Sequence, residues 1–227
     1  MKFTWMKWAA LPVVALLAGS IAMAQDQSSS GSQQPAPAPA ATPAAAPAEK
    51  PKPTVAQRKE NQQGRIANGV HSGQLTAGET ANLEKKEAAI NKETAADRAA
   101  NGGKLTAAEK KQVNHQQNQV SKQIYADKHN ANTAHYGNNK VGQRRENQQD
   151  RVAQGIKSGQ MTAGEAAKAE NQQKNINKQV VADRKANGGT LTASEKKQIN
   201  KEQNAASKNI YNKKHNAKTQ PQTQPKP

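Results

Sequence analysis

The chain has 227 residues, with 34 Lys and Arg against 17 Asp and Glu, so its formal net charge is +17. It has no cysteine, which excludes a disulfide-stabilised domain, a thiolate metal site and a cysteine nucleophile. Aromatic residues are scarce, with one Phe, two Trp and three Tyr. Composition therefore predicts a polar, basic protein with a thin core, and it does not by itself identify a biochemical function.

The first 24 residues have the three parts of a secretory signal peptide. Lys2 and Lys7 provide a positive start, an apolar run covers 9–18, and Ala22 and Ala24 are the small residues expected before a cleavage site. The apolar run is shorter than the roughly 20 residues of a membrane span. The sequence therefore predicts export to the periplasm or the medium, with no membrane span after the signal peptide is removed.

Two segments of low complexity flank the rest of the chain. Residues 25–54 are rich in Ser, Pro and Ala, and residues 217–227 are rich in Gln and Pro. Neither has apolar side chains to bury, so neither can offset the entropy lost on ordering. Both are predicted to be disordered, and the prolines of the first favour an extended spacer.

An internal duplication dominates the remaining sequence. Residues 55–133 align without gaps on residues 141–219 at an offset of 86, and 48 of the 79 aligned positions are identical. This pattern predicts two copies of one module, helical repeat 1 over 55–133 and helical repeat 2 over 141–216, joined by a linker at 134–140.

A short motif, Gly-x-[Leu/Met]-Thr-x-x-Glu, occurs four times, twice in each module. A Thr followed three residues later by Glu is a capping box at a helix start. The glycine suits a backbone position with positive φ, which closes the preceding turn. The predicted N-caps are Thr76, Thr106, Thr162 and Thr192, the partner glutamates are Glu79, Glu109, Glu165 and Glu195, and the glycines are Gly73, Gly103, Gly159 and Gly189.

Apolar residues between these motifs keep helical spacing, and strand patterns are absent. The fold class is therefore predicted as all-α, with two tandem copies of a three-helix module. The predicted helices are Val55–Gly69, Thr76–Ala100, Thr106–Asn130, Val141–Gly155, Thr162–Ala186 and Thr192–Asn216. Their apolar stripes are only one residue wide, which predicts marginal stability and mobile helices that become firmer on binding or in a dimer.

Each helix–loop–helix segment around the motif resembles an EF-hand calcium site. Gly103, Leu105 and Glu109 match the glycine, the aliphatic residue and the terminal ligand of that loop. The resemblance implies one calcium ligand in each loop, namely Glu79, Glu109, Glu165 and Glu195. The earlier ligand positions carry no Asp, so we prefer the capping role for these glutamates and keep a calcium-responsive module as an alternative.

The whole duplicated region is also similar to exported bacterial tandem-repeat proteins of uncharacterised function. The similarity lies in the order Ser-Gly-x-Leu-Thr-x-x-Glu, then Gly-x-Leu-Thr-x-x-Glu, then Ile-Tyr-x-x-Lys-His-Asn. It implies an organisation and a compartment, and no functional residues follow from it.

The sequence contains no motif for catalysis. Among five histidines only His129 and His215 occupy equivalent positions, each four residues after a tyrosine, Tyr125 and Tyr211. This spacing predicts Tyr–His stacking near a helix end rather than a metal site. There is no nucleophile motif, no pair of carboxylates in an apolar setting and no phosphate-binding loop. We therefore predict that the protein is not an enzyme and needs no cofactor.

The excess positive charge is the remaining functional signal. It predicts salt-sensitive attraction to anionic envelope polymers or lipids, without sequence-specific recognition of nucleic acid. The leading hypothesis is an exported, non-enzymatic helical repeat protein that binds or spaces anionic envelope material. The alternatives are the calcium-responsive module and a stress-protective or chaperone-like polar helical protein.

Overall fold

The computed structural model describes residues 51–220, and all regular secondary structure in this range is helical. The helices are α1 (Val55–His71), α2 (Ala77–Ala100), α3 (Ala107–Lys128), α4 (Lys140–Lys157), α5 (Ala163–Ala186) and α6 (Ala193–Lys214). The all-α prediction is confirmed. The predicted signal peptide, most of the predicted linker over 25–54 and residues 221–227 of the predicted tail lie outside the described residues.

All four predicted capping boxes form. At the start of α3, the Glu109 backbone N–H donates to Thr106 Oγ1 at 3.3 Å, and the Thr106 N–H donates to Glu109 Oε2 at 2.8 Å. A fifth capping box, which the motif did not predict, pairs Thr54 with Gln57 at the start of α1. The four glycines of the motif have the predicted positive φ, 71° and 87° in the first module and 71° and 96° in the second. Local sequence therefore sets most helix boundaries.

Some boundaries differ from the prediction by one or two residues. Helix α3 ends at Lys128 instead of Asn130, because the Asn130 side chain leaves the helix and its Nδ2 donates to Glu79 Oε1 at 2.8 Å. Helix α4 begins at Lys140, inside the predicted linker, because Asn139 caps it by accepting from the Gly142 N–H at 3.0 Å.

The two modules pack against each other and share a core. Helix α2 packs along α5, and α1 packs along α4. Equivalent helices therefore contact one another, which is the arrangement of two copies around an approximate two-fold axis. The main apolar cluster draws on both modules and includes Ile66, Val70, Leu83 and Ile124 with Val152, Ile156, Met161 and Ile210. Each module thus covers the apolar face of the other.

Buried glutamines complete the narrow apolar stripes. Gln117 lies between Val113 and Val120 on α3, and its side chain is buried with them. Its Nε2 donates to the Val55 carbonyl oxygen at 2.9 Å, which fastens α3 to the start of α1. Gln203 repeats this bond in the second module. The Nε2 groups of both glutamines are thus hydrogen-bonded, while their Oε1 atoms are buried without a partner. The long glutamine side chains fill core space that the scarce apolar residues leave.

The first residues of the predicted tail are ordered against the helices. The Gln220 backbone N–H donates to the Gly159 carbonyl oxygen at 2.9 Å, and its buried side chain donates to Gln63 Oε1 at 2.9 Å. The chain leaving α6 therefore crosses back over the junction of the two modules.

Candidate functional site

Two fully buried glutamates face each other where α2 packs along α5. Glu84 and Glu170 are equivalent residues of the two modules. Gln63 donates to Glu84 at 3.2 Å, and Gln149 donates to Glu170 at 2.9 Å. Burial raises the pKa of Glu84 well above its usual range, and burial raises the pKa of Glu170 to about 8. The raised pKa of each carboxyl favours its protonated form, which is uncharged.

A third buried glutamate, Glu87, lies one helical turn beyond Glu84 on α2. Burial raises its pKa to about 7, against the opposing influence of the positive charge on Lys59. Neither of its carboxyl oxygens has a hydrogen-bond partner among the described residues. Glu87 is therefore poised to titrate near neutral pH.

The four glutamates that the EF-hand resemblance singles out all serve as helix caps. Glu79 has the most hydrogen-bonding residues around it, since its carboxylate accepts from Thr76, Asn130 and Asn132. Burial alone would raise its pKa, but these hydrogen bonds hold the pKa below its usual value. The remaining three, Glu109, Glu165 and Glu195, likewise accept from a capping threonine and from an asparagine. Within residues 51–220, no three His, Asp or Glu side chains are grouped so as to hold a metal ion.

The predicted Tyr–His stacking is present in both modules. The ring centroids of Tyr125 and His129 lie 4.1 Å apart, and those of Tyr211 and His215 lie equally close. Each imidazole Nδ1 is also within hydrogen-bond distance of the tyrosine carbonyl oxygen at the helix end. These histidines are therefore the C-terminal caps of α3 and α6.

Almost none of the positive charge is paired with a carboxylate. In the part of the chain that the structure describes, one ion pair is found, between His71 and Asp150 at 2.9 Å. No lysine or arginine among the described residues is within ion-pair distance of a carboxylate, so their charge is not neutralised inside the protein.

Several unpaired cations line a groove on the second module, which we call the basic groove. It encloses about 800 Å³, and its positive charges come from Lys140, Arg144, Arg184 and Lys196. Val141 and Leu191 supply apolar wall, and the other lining residues are Asn139, Gly189, Thr190 and Asn200. No carboxylate lines it, so the groove combines positive charge with apolar surface.

Arg144 is held in place within the basic groove. Its guanidinium donates to the side chains of Asn200 and Asn204 on α6, which leaves it without a carboxylate partner. Arg58 makes the same two contacts, to Asn114 and Asn118, in the first module. Asparagine acceptors fix the direction of the guanidinium but do not neutralise its charge.

The sequence contained an indication of this groove that motif reasoning did not use. Three of its cations, Arg144, Arg184 and Lys196, have identical counterparts in the first module, Arg58, Arg98 and Lys110. These positions are far apart along the chain, and no periodicity places the start of α4 beside the turn between α5 and α6. Only the packing of the helices brings them together.

None of the helices within residues 51–220 is both long and apolar enough to cross a lipid bilayer.

Fold and site together define an all-α protein built from a duplicated three-helix module, with a neutral polar junction and basic cavities. In comparisons with known proteins, no family model, no curated protein and no solved structure matches this chain.

Proposed function

We propose that this protein is an exported, non-enzymatic helical repeat protein that binds anionic cell-envelope material through the basic groove. The single observation that carries this proposal is the groove's lining, in which four cations converge without a carboxylate. A flexible or repeating polyanion can contact several of these cations at once, and counterion release then favours binding at low salt.

The repetition of three groove cations in the first module supports the same proposal. The equivalent cations of the two modules can engage two stretches of a single polymer. The second contact is then intramolecular and strengthens the first. The extended spacer predicted for residues 25–54 would give the unit additional reach.

The test is a binding titration of the full chain with heparin as the probe polyanion, at several salt concentrations. The double variant Lys140→Gln/Lys196→Gln removes two exposed groove charges. The matched control, Lys85→Gln/Lys86→Gln, removes two exposed charges from α2 that do not line the basic groove. We expect the groove variant to bind about tenfold more weakly and the control to change by less than about twofold.

Equal losses in the two variants would show that binding follows net charge, and the groove would then have no special role. Binding that is indifferent to salt would contradict an electrostatic mechanism altogether.

A further inference from the structure

A second cavity, of about 570 Å³, lies between the start of α2 in one module and α4 and α5 in the other. We call it the inter-module cavity. Its cations are Arg145, Lys174 and Lys178, and residues 76–78 form the opposite wall. No carboxylate lines it, and it shares no lining residue with the basic groove.

Arg145 is the unusual group in this cavity. Its side chain is only 8% exposed, and its Nε has no hydrogen-bond partner among the described residues. The guanidinium makes a cation–π interaction with Tyr136, in which its central carbon lies 5.4 Å from the centre of the ring. A buried guanidinium without an anion or a hydrogen-bond acceptor is unfavourable, so proteins normally provide one or bind one.

Among the described residues no carboxylate pairs with Arg145, although Glu146 and Asp150 lie close enough to influence the neighbouring Tyr136. Glu170 is close enough to influence Tyr136, but burial raises the pKa of Glu170 to about 8, so it is protonated at neutral pH. The Glu79 carboxylate is occupied by the capping bonds at the start of α2. Arg184 adds positive charge on the other side, and burial together with that charge lowers the pKa of Arg145. The cavity therefore has a net positive potential.

The first turn of α2 adds backbone donors to the same cavity. Ala77 and Gly78 begin the helix, and N–H groups at that position have no carbonyl within the helix to bond. The Lys174 side chain passes directly over Gly78, where its Cδ and Cε would lie 3.6 Å from an added Cβ. A helix start, an ammonium group and a buried guanidinium thus converge on one space, which is the arrangement that binds phosphate groups.

The duplication supplies an internal comparison. The equivalent cavity on the other side of the approximate two-fold axis encloses about 190 Å³ and has Lys59 in place of Arg145. It has Ala88 where the inter-module cavity has Lys174, and Gln220 occupies the position of Ala134. This equivalent cavity is therefore small and carries a single cation. Only the inter-module cavity has the space and the charge for an anion.

The remaining wall of the inter-module cavity is apolar. Tyr136 is half-buried there, and Val181 is 64% exposed, a large fraction for a branched aliphatic side chain. An organic group beside the anion would cover this surface.

We propose that the inter-module cavity binds a small phosphorylated organic molecule. Arg145, Lys174 and the first turn of α2 would hold the phosphate, and Tyr136 and Val181 would contact the organic part. This site goes beyond the polyanion binding proposed above, because it selects a discrete ligand with both charge and apolar surface.

The test is calorimetric titration of the full chain with phenyl phosphate and with inorganic phosphate, at constant ionic strength. We expect one site per chain, with phenyl phosphate binding more tightly than inorganic phosphate. Arg145→Gln should weaken phenyl phosphate binding by about tenfold or more. Lys174→Ala, which introduces the residue found at the equivalent position 88, should weaken it about three- to tenfold.

Two controls separate this proposal from the previous one. Lys59→Gln alters the equivalent residue of the smaller cavity and should leave phenyl phosphate binding unchanged. Lys140→Gln/Lys196→Gln should also leave it unchanged while weakening heparin binding. The absence of a saturable site, equal affinity for the two phosphates, or binding that persists in both Arg145→Gln and Lys174→Ala would overturn the proposal.

Discussion

Glu87 and Gln173 occupy equivalent positions in the two modules, and only Gln173 has a hydrogen-bond partner. Gln173 Nε2 donates to Gln148 Oε1 at 3.2 Å. In the first module, Gln62 Oε1 and both oxygens of Glu87 are buried without partners. A proton on Glu87 supplies the one donor that is missing, because the acid O–H can then bond to Gln62 as the amide of Gln173 bonds to Gln148.

We expect Glu87→Gln to stabilise the protein at pH 8. The substitution restores the amide of the second module and removes a buried carboxylate, so the free energy of unfolding should rise by about 1–3 kcal/mol. Urea unfolding at pH 8 and pH 5 measures the effect, which should be smaller at pH 5 because Glu87 is then protonated. Glu60→Gln removes the same charge from an exposed position and should change stability little; a larger gain from Glu60→Gln would contradict this explanation.

The free energy of unfolding should fall as pH rises from about 5 to about 8. The folded pKa is raised for Glu84, Glu87 and Glu170, to about 7 for Glu87 and about 8 for Glu170. The unfolded chain releases these protons near pH 4.5, so over this range it binds fewer protons than the folded chain, and folding weakens as pH increases. Lys59, the cation facing Glu84 and Glu87, moderates the loss while it stays protonated.

Below about pH 4.5 the trend should reverse. Hydrogen bonds lower the pKa of the capping glutamates Glu79, Glu109, Glu165 and Glu195, so their contribution is lost as pH falls through the folded values. Urea titrations between pH 3 and pH 9 should therefore show a maximum near pH 5. Stability that rises steadily from pH 5 to pH 8 would show that the buried glutamates are not protonated in the folded state.

Gly142→Ala should destabilise the protein by more than about 2 kcal/mol. A Cβ at this position of α4 would overlap the carbonyl oxygens of Tyr136 and Gly137, which belong to the rigid backbone of the linker. The equivalent residue of the first module is Ala56. Chemical denaturation of the variant measures the loss.

Gly64→Ala is the matched control for that substitution. A Cβ at Gly64 in α1 would meet nothing within 4 Å. Replacing a glycine inside a helix should then stabilise the protein by about 1 kcal/mol. Similar losses at Gly64 and Gly142 would mean that the linker backbone is not what demands glycine.

Thr106→Ala should cost about 1 kcal/mol, because it removes the hydroxyl that accepts from the Glu109 N–H at the start of α3. Thr106→Ser keeps that acceptor and should retain most of the stability. The comparison is made by thermal and chemical unfolding monitored by circular dichroism. If the alanine and serine variants are equally destabilised, the loss arises from the threonine methyl group and not from the cap.

The sequence pattern predicts which apolar residues are buried, but it does not predict which polar residues are buried. The helical spacing of Val113, Val120 and Ile124 predicts that they share one buried stripe, and all three are buried. Gln117 completes that stripe, yet glutamine is ordinarily exposed, so nothing in its identity indicates burial. Its position between two stripe residues, repeated by Gln203 in the second module, was the available signal.

For the cations too, the sequence predicts a general property, and the packing of the helices decides the surroundings of each residue. Net charge predicted attraction to anions, but it could not distinguish Arg144, which lies in the basic groove, from its neighbour Arg145, which lies in the inter-module cavity. Adjacent residues of a helix point in directions about 100° apart, so their surroundings depend on which helices pack on each side.

By itself, the sequence determined the helices, their caps and their glycine turns, because these features depend on residues only a few positions apart. The capping boxes at Thr76 and Thr162 are complete within four residues. Only the tertiary structure decided that the two modules pack around an approximate two-fold axis. That packing buries Glu84 and Glu170, orders Gln220 and leaves Arg145 without a carboxylate partner, because burial and charge pairing depend on contacts between distant segments.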